Sequence, residues 1–258
     1  MRPVTLITGA SAGIGTALAH EFARHGHELL LIARREQRLA ELADAIAAQG
    51  HKRPLMLPID LGVPDAVGRI ADALARLDVE PEIVVNNAGF GLVGAAARLD
   101  LAEQLAMIDL NVRVLTDLSL AFVGTLQRHR GGILNVASVA GFLPGPCMAV
   151  YYASKAYVLS FSEALHRELK PRGVRVTVLC PGPVPTEFQT RAGVRNERYQ
   201  SLVTQTPEQV AQAGYRGFMA GRRLVVPGIG NKLITFLLRA SPRGLAAAGV
   251  AAQQRLRR

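Results

Sequence analysis

Short apolar runs alternate along this chain with longer stretches of helical period, and that alternation admits very few folds. The runs fall at 3–8, 28–33, 54–59, 83–86, 132–137, 174–180 and 224–227, and the helical stretches at 14–25, 36–49, 64–77, 101–128, 150–170 and 207–220. Strand and helix in regular turn call for a parallel sheet with helices on both faces. Most runs are apolar throughout, as in Leu29-Leu30-Leu31-Ile32-Ala33, which is how strands covered on both faces read. Right-handed crossovers then give a doubly wound, mostly parallel, seven-stranded sheet. No repeat, linker or compositional break divides the chain. The expectation is one α/β domain over 1–258, with 229–258 a basic C-terminal extension of it. Ligands of such sheets bind beyond the carboxyl ends of the strands, and each motif below falls there or on the following helix.

Charge and composition narrow the partners. A net charge of +10 invites nucleic acid, but residues 209–258 hold nine basic side chains and no acid, leaving 21 basic against 20 acidic elsewhere. The body is near neutral, so no nucleic acid is expected; the basic tail leaves a weak membrane-surface contact open. Cys147 and Cys180 are too few for a disulfide framework and lack metal-ligand spacing, so a reducing cytoplasm is expected and a metal is not. The first apolar run reaches Gly9 after four or five apolar positions, too few for a signal-peptide core. Nowhere do about 18 uninterrupted apolar residues occur, so the expectation is a soluble, cytoplasmic protein.

The first run leads into Thr8-Gly9-Ala10-Ser11-Ala12-Gly13-Ile14-Gly15, placing three glycines where a strand turns into a helix. Glycines let the backbone approach a pyrophosphate, whose charge sits at the helix N-terminus. About 20 residues on, where an acid would hold ribose hydroxyls, stand Ala33-Arg34-Arg35. A guanidinium holds a ribose 2′-phosphate that an acid repels, so Arg34 and Arg35 favour NADP(H) over NAD(H). Glu36 is the nearest acid and would reverse that preference if it reached the ribose. Asp60 after the third run and Asn86-Asn87-Ala88-Gly89 after the fourth either meet the nucleotide or cap loops.

Tyr151 and Lys155 stand four apart at the start of a predicted helix and share a face. A free phenol, with a pKa of about 10, exchanges protons poorly near neutrality. An ammonium beside it lowers that pKa and makes Tyr151 a general acid or base. Ser138 closes the fifth run and offers a hydroxyl to the carbonyl oxygen that the tyrosine protonates, or serves as a turn residue. Asn111 is an indifferent helix former in mid-helix. It either distorts the helix and holds a water that relays protons to Lys155, or satisfies a buried backbone group.

Together, Thr8-Gly9-x3-Gly13-x-Gly15, Asn86-Asn87-Ala88-Gly89, Asn111, Ser138, Tyr151-x3-Lys155 and Pro181-Gly182-Pro183-Val184-Pro185-Thr186 resemble the short-chain dehydrogenase/reductase family over residues 3 to 228. The resemblance implies a Rossmann-type domain and hydride transfer between a nicotinamide and a carbonyl or alcohol carbon. It makes Tyr151 the general acid/base, Ser138 the group that polarises the carbonyl, and Asn111 part of a proton relay. Lys155 would hold the nicotinamide ribose and lower the tyrosine pKa. The cofactor-binding set would comprise Gly9, Ser11, Gly13, Ile14 and Gly15 at the pyrophosphate, Arg34, Arg35 and Asp60 at the adenosine, Asn87, Ala88 and Gly89, Tyr151 and Lys155, then Pro181, Gly182, Val184 and Thr186. Thr186 would meet the carboxamide. Members that prefer NADPH often carry a basic residue within the glycine loop, where this chain has Ala12, so Arg34 carries the preference with help from Ser11. Many relatives pair through the long helices, here 101–128 and 150–170, which implies a homodimer or homotetramer.

The segment 139–149 is apolar and uncharged, which suits an apolar ketone, an aldehyde or a 3-oxoacyl group. Phe188, Val194 and Tyr199 are candidate lid residues; Arg191, Arg195 and Arg198 are either solvated or meet an acidic substrate group. Lys232-Leu233-Ile234-Thr235-Phe236-Leu237-Leu238-Arg239 reads as a short amphipathic helix that covers the cleft, packs on another subunit or lies on an anionic membrane. The rival function is a non-catalytic nucleotide-sensing or scaffold protein on the same fold.

Overall fold

The computed structural model describes residues 1–193 and 204–240. Its strands are β1 (Arg2–Thr8), β2 (Leu29–Ala33), β3 (Leu55–Pro58), β4 (Val79–Asn86), β5 (Gly132–Val136), β6 (Arg175–Leu179) and β7 (Leu224–Val225). Its helices are α1 (Gly13–Arg24), α2 (Glu36–Ala48), α3 (Ala66–Arg76), α4 (Leu101–Ile108), α5 (Leu115–Ala121), α6 (Val123–Arg128), α7 (Ala149–Leu169), α8 (Glu187–Ala192), α9 (Pro207–Met219) and α10 (Ile229–Ala240). The strands form one sheet in the order β3-β2-β1-β4-β5-β6-β7. Every pairing is parallel, so the sheet is wholly parallel. The chain reverses direction across the sheet between β1 and β4, and the crevice outside the strand ends opens there.

Each strand serves two cores because successive side chains point to opposite faces. In β2, Leu29 and Leu31 pack with Leu18 and Phe22 of α1, Leu39 of α2 and Phe218 of α9. Leu30 and Ile32 pack on the other face with Ile70 of α3, Leu118 of α5 and Leu165 of α7. Burial of each such side chain contributes roughly 1.5–3 kcal/mol. This double covering is the physical reason for the unbroken apolar runs.

Apart from shifts of a residue or two at many element ends, four differences from the sequence-based boundaries stand out. β4 begins at Val79 rather than at 83: its first four residues, Val79-Glu80-Pro81-Glu82, are too polar to read as a strand. Pro81 lies beside a shift in register between Val4 and Thr5, where a missing N–H is tolerated. The predicted helix 101–128 is α4, a six-residue π-helical stretch over Asp109–Val114, then α5 and α6. β5 ends at Val136, so Ser138 caps a short 3-10 turn over Val139–Phe142 rather than closing a strand. A short helix, α8, follows Thr186, whose side chain caps it, and Gly193 ends it in the left-handed region. Val194, Arg195, Arg198 and Tyr199 lie outside the described residues, as does 241–258.

Candidate active site

One cleft of about 1200 Å³ runs along the carboxyl ends of the strands. Lining it are Gly9, Ser11, Gly13, Ile14, Arg34, Arg35, Asp60, Asn87, Ala88, Gly89, Ser138, Tyr151, Lys155, Pro181, Gly182, Val184 and Thr186. Gly15 and Asn111 stand behind its wall. Gly9 turns in the left-handed region at φ +65, and a Cβ on Gly15 would lie 2.2 Å from the Gly9 carbonyl oxygen. Only glycine leaves this turn open and lets α1 start against it. The turn is stitched to β4 by Thr8, whose hydroxyl donates to the Val85 carbonyl at 3.2 Å and accepts from the Asn87 and Ala88 amides at 3.0 and 3.1 Å. Asn87 returns its side-chain amide to the carbonyls of Thr8 and Gly9 at 2.9 and 3.2 Å. The sequence marks Thr8 only by its place before Gly9.

At the far end of this wall, Arg35 donates to the Ser11 hydroxyl at 3.3 Å and to Glu187 of α8 at 2.8 Å. Arg34 lies 3.6 Å from Asp60, which also caps the Gly62 amide at 2.9 Å. Two guanidiniums thus flank the cleft, each with an acid within 4 Å. Glu187 was not foreseen: it is 152 residues from Arg35, and nothing local marks it. The glycine turn, the helix N-terminus and the two guanidiniums fit a phosphate-bearing dinucleotide.

The other end of the cleft carries the proton chemistry. Tyr151 is 9% exposed, with its ring 5.4 Å from Phe188 and packed beside Phe90. Lys155, one turn along α7, is buried; its ammonium donates to the Val136 carbonyl at 2.9 Å and lies 5.9 Å from the Tyr151 ring centroid. Burial pushes the Tyr151 phenol up to about 12, against a hydrogen bond with Ser138 that lowers it. Burial likewise brings the Lys155 ammonium down to about 8. The sequence reading expected Lys155 to lower the tyrosine. In this geometry Ser138 is the group that does so, and desolvation outweighs it.

Asn111 resolves one of its two readings. It lies in the π-helical stretch, where a wider turn re-aims a side chain. Its carboxamide accepts from the Phe90 amide at 3.1 Å and donates to the Phe90 carbonyl at 2.9 Å and the Ser154 hydroxyl at 3.1 Å. The helix is distorted and a buried backbone segment is satisfied by the same residue. Asn86, next to Asn87 in the sequence, faces away from the cleft: its amide donates to Ser119 and Asn135, both at 2.9 Å, and Asn135 donates to Ser162 at 2.9 Å. Arg191 of α8 lines the cleft with its guanidinium 4.3 Å from the Phe90 ring centroid.

Residues 3–197 match the family described as short chain dehydrogenase. The chain belongs to that family. It is an oxidoreductase of the type that acts between alcohols and carbonyls with a nicotinamide cofactor. Sulfoacetaldehyde reductase 2 of Chromohalobacter salexigens is 40% identical over 73% of this chain and 75% of its own. A short-chain dehydrogenase from Sphingobium yanoikuyae, solved in complex with NADPH, is 31% identical over 95% of each chain, with a TM-score of 0.82. One from Burkholderia phymatum, solved with NAD, is 26% identical over 92% of each, with a TM-score of 0.80.

Proposed function

We propose that this short-chain dehydrogenase is an NADPH-dependent reductase in which Tyr151 protonates the oxygen of a carbonyl substrate. The observation that carries the reading is the buried Tyr151, which lines one cleft with Ser138, Lys155 and the glycine turn. The bound nicotinamide supplies the hydride. Burial keeps the phenol protonated until a substrate oxygen gains charge. Ser138 and Tyr151 then present two hydroxyls to that oxygen, the role of an oxyanion hole. Lys155 holds positive charge beside the phenol as it gives up its proton, and Asn111 positions the Phe90 segment against which the tyrosine packs. Gly9, Ser11, Gly13 and Ile14 would cradle the pyrophosphate, with Thr186 near the carboxamide, while Arg34 and Arg35 support NADPH over NADH through the charge they offer a 2′-phosphate.

The apolar lining from Val139, Ala140, Leu143 and Met148 suits an apolar ketone, aldehyde or acyl group. Arg191 favours a second reading, a short aldehyde bearing an acidic group, in keeping with the name of the reductase that is 40% identical. The proposal extends to a homodimer or homotetramer, supported by the exposure of Leu105 and Ile108 on α4 and Tyr157 on α7, and to the cytoplasm, supported by a sequence with two cysteines, too few for a disulfide framework.

The test follows oxidation of NADPH and NADH against apolar ketones, 3-oxoacyl thioesters and aldehydes with and without an acidic group. Turnover is expected with at least one class, and Tyr151→Phe should lose it by ~10²-fold or more while binding NADPH nearly as before. Full activity in Tyr151→Phe would overturn the mechanism. NADPH binding with no turnover on any class would favour the nucleotide-sensing alternative.

A further inference from the structure

α10 is anchored along one side. Asn231 and Thr235, one turn apart, are buried; Asn231 donates to the Pro227 carbonyl at 3.0 Å and Thr235 to the Asn231 carbonyl at 2.9 Å. On the opposite side Ile229, Leu233 and Phe236 are 86%, 59% and 71% exposed. At about 100° per residue these three fall on one stripe, facing away from Asn231 and Thr235. Large apolar side chains grouped in water mark a binding surface.

Charge indicates what covers it. From α10 onward the sequence carries Lys232, Arg239, Arg243, Arg255, Arg257 and Arg258, and no acid occurs after Glu208. A second copy seated on this stripe would bring two such sets of cations together without an acid from either segment. An anionic surface neutralises them instead. Leucine- and phenylalanine-type side chains beside basic residues, without acids, are what a helix lying in the plane of an anionic bilayer needs. Among the described residues no helix is long and apolar enough to cross a membrane, which fits surface seating rather than insertion.

We propose that α10 docks the protein on anionic lipid, with Ile229, Leu233 and Phe236 entering the boundary between headgroups and acyl chains and the net positive charge of the acid-free sequence after Glu208 drawing it to anionic headgroups. Ile234, the residue after Leu233, lines the cleft, so the docking helix also forms part of the cleft wall. The proposal stands apart from the choice of substrate and cofactor.

The test is flotation of the full chain with phosphatidylcholine vesicles, with and without phosphatidylglycerol, at low and high salt. Binding is expected only with phosphatidylglycerol and should weaken as salt rises. Leu233→Gln with Phe236→Gln should lower the partition coefficient by about tenfold or more while leaving turnover unchanged. Lys232→Glu with Arg239→Glu should lower it too without touching the apolar stripe. Failure of the unaltered chain to float with the anionic vesicles at low salt overturns the proposal. So does flotation unaffected by the Leu233/Phe236 pair, or a change of oligomeric state in that pair by light scattering, which would assign the stripe to a second copy.

Discussion

A single buried lysine shows how the site trades stability for chemistry. Lys155 has its pKa brought from 10.5 to about 8, so the unfolded chain binds the proton more tightly than the folded one. Stability therefore rises with pH between about 8 and 10.5, and below 8 the full penalty is present. Lys155→Met should raise stability at pH 7 by up to ~3 kcal/mol, less what the Val136 carbonyl loses as its donor, while removing turnover. Denaturant titrations at pH 7 and pH 10 should show the gain shrinking at the higher pH. At the other end of the cleft, Arg34→Ala should weaken NADPH by ~10-fold or more and leave NADH nearly unchanged, read by fluorescence titration of both. Equal losses would remove Arg34 from cofactor choice. That Tyr151, Lys155 and Arg34 share one cleft was legible because each sits at a fixed offset within a local motif. The Asn86–Ser119 and Asn86–Asn135 hydrogen bonds were not, since their partners are 33 and 49 residues apart and polar side chains at such distances carry no periodicity.

The strands and most helices were legible because hydrophobic period is local, whereas α8 and the π-helical stretch answer to distant partners. Thr186 caps α8 and Glu187 ties its first turn to Arg35 of the segment before α2. The stretch Asp109–Val114 widens so that Asn111 reaches Phe90, 21 residues earlier in the chain. A regular helix would turn that carboxamide elsewhere. Asn111→Leu keeps the volume and removes all three hydrogen bonds, leaving the Phe90 amide and carbonyl buried without those partners. The expected cost is ~2–4 kcal/mol in a thermal or denaturant melt, together with a large fall in kcat, because the Phe90 segment packs beside Tyr151. A loss of kcat with unchanged stability would argue instead for a direct part in proton transfer.

Across the whole molecule, chemistry and acid sensitivity lie at opposite ends of the sheet. The amino-terminal end of β4 holds Glu80, bonded to His129 at 2.7 Å and to Arg128, and Glu82, bonded to His27 at 3.2 Å. These partners hold both carboxyls below the ordinary 4.5. A depressed carboxyl stabilises the fold above its unfolded pKa and is lost as pH falls through the folded value, so stability should drop below about pH 4.5. Glu80→Gln should flatten that drop in melts between pH 3 and 5; an unchanged slope would assign acid sensitivity elsewhere. The strand order has a further consequence, for the time before the molecule exists. β1 pairs with β4, Arg2 against Val79, so the partner of the first strand is made some seventy residues after it. At ~5–20 residues per second a growing chain leaves that edge of β1 open for several seconds, a bare template on the ribosome. Thr8 can fix the glycine turn only when Val85 has been added, so the nucleotide cradle is finished late although its motif is translated first.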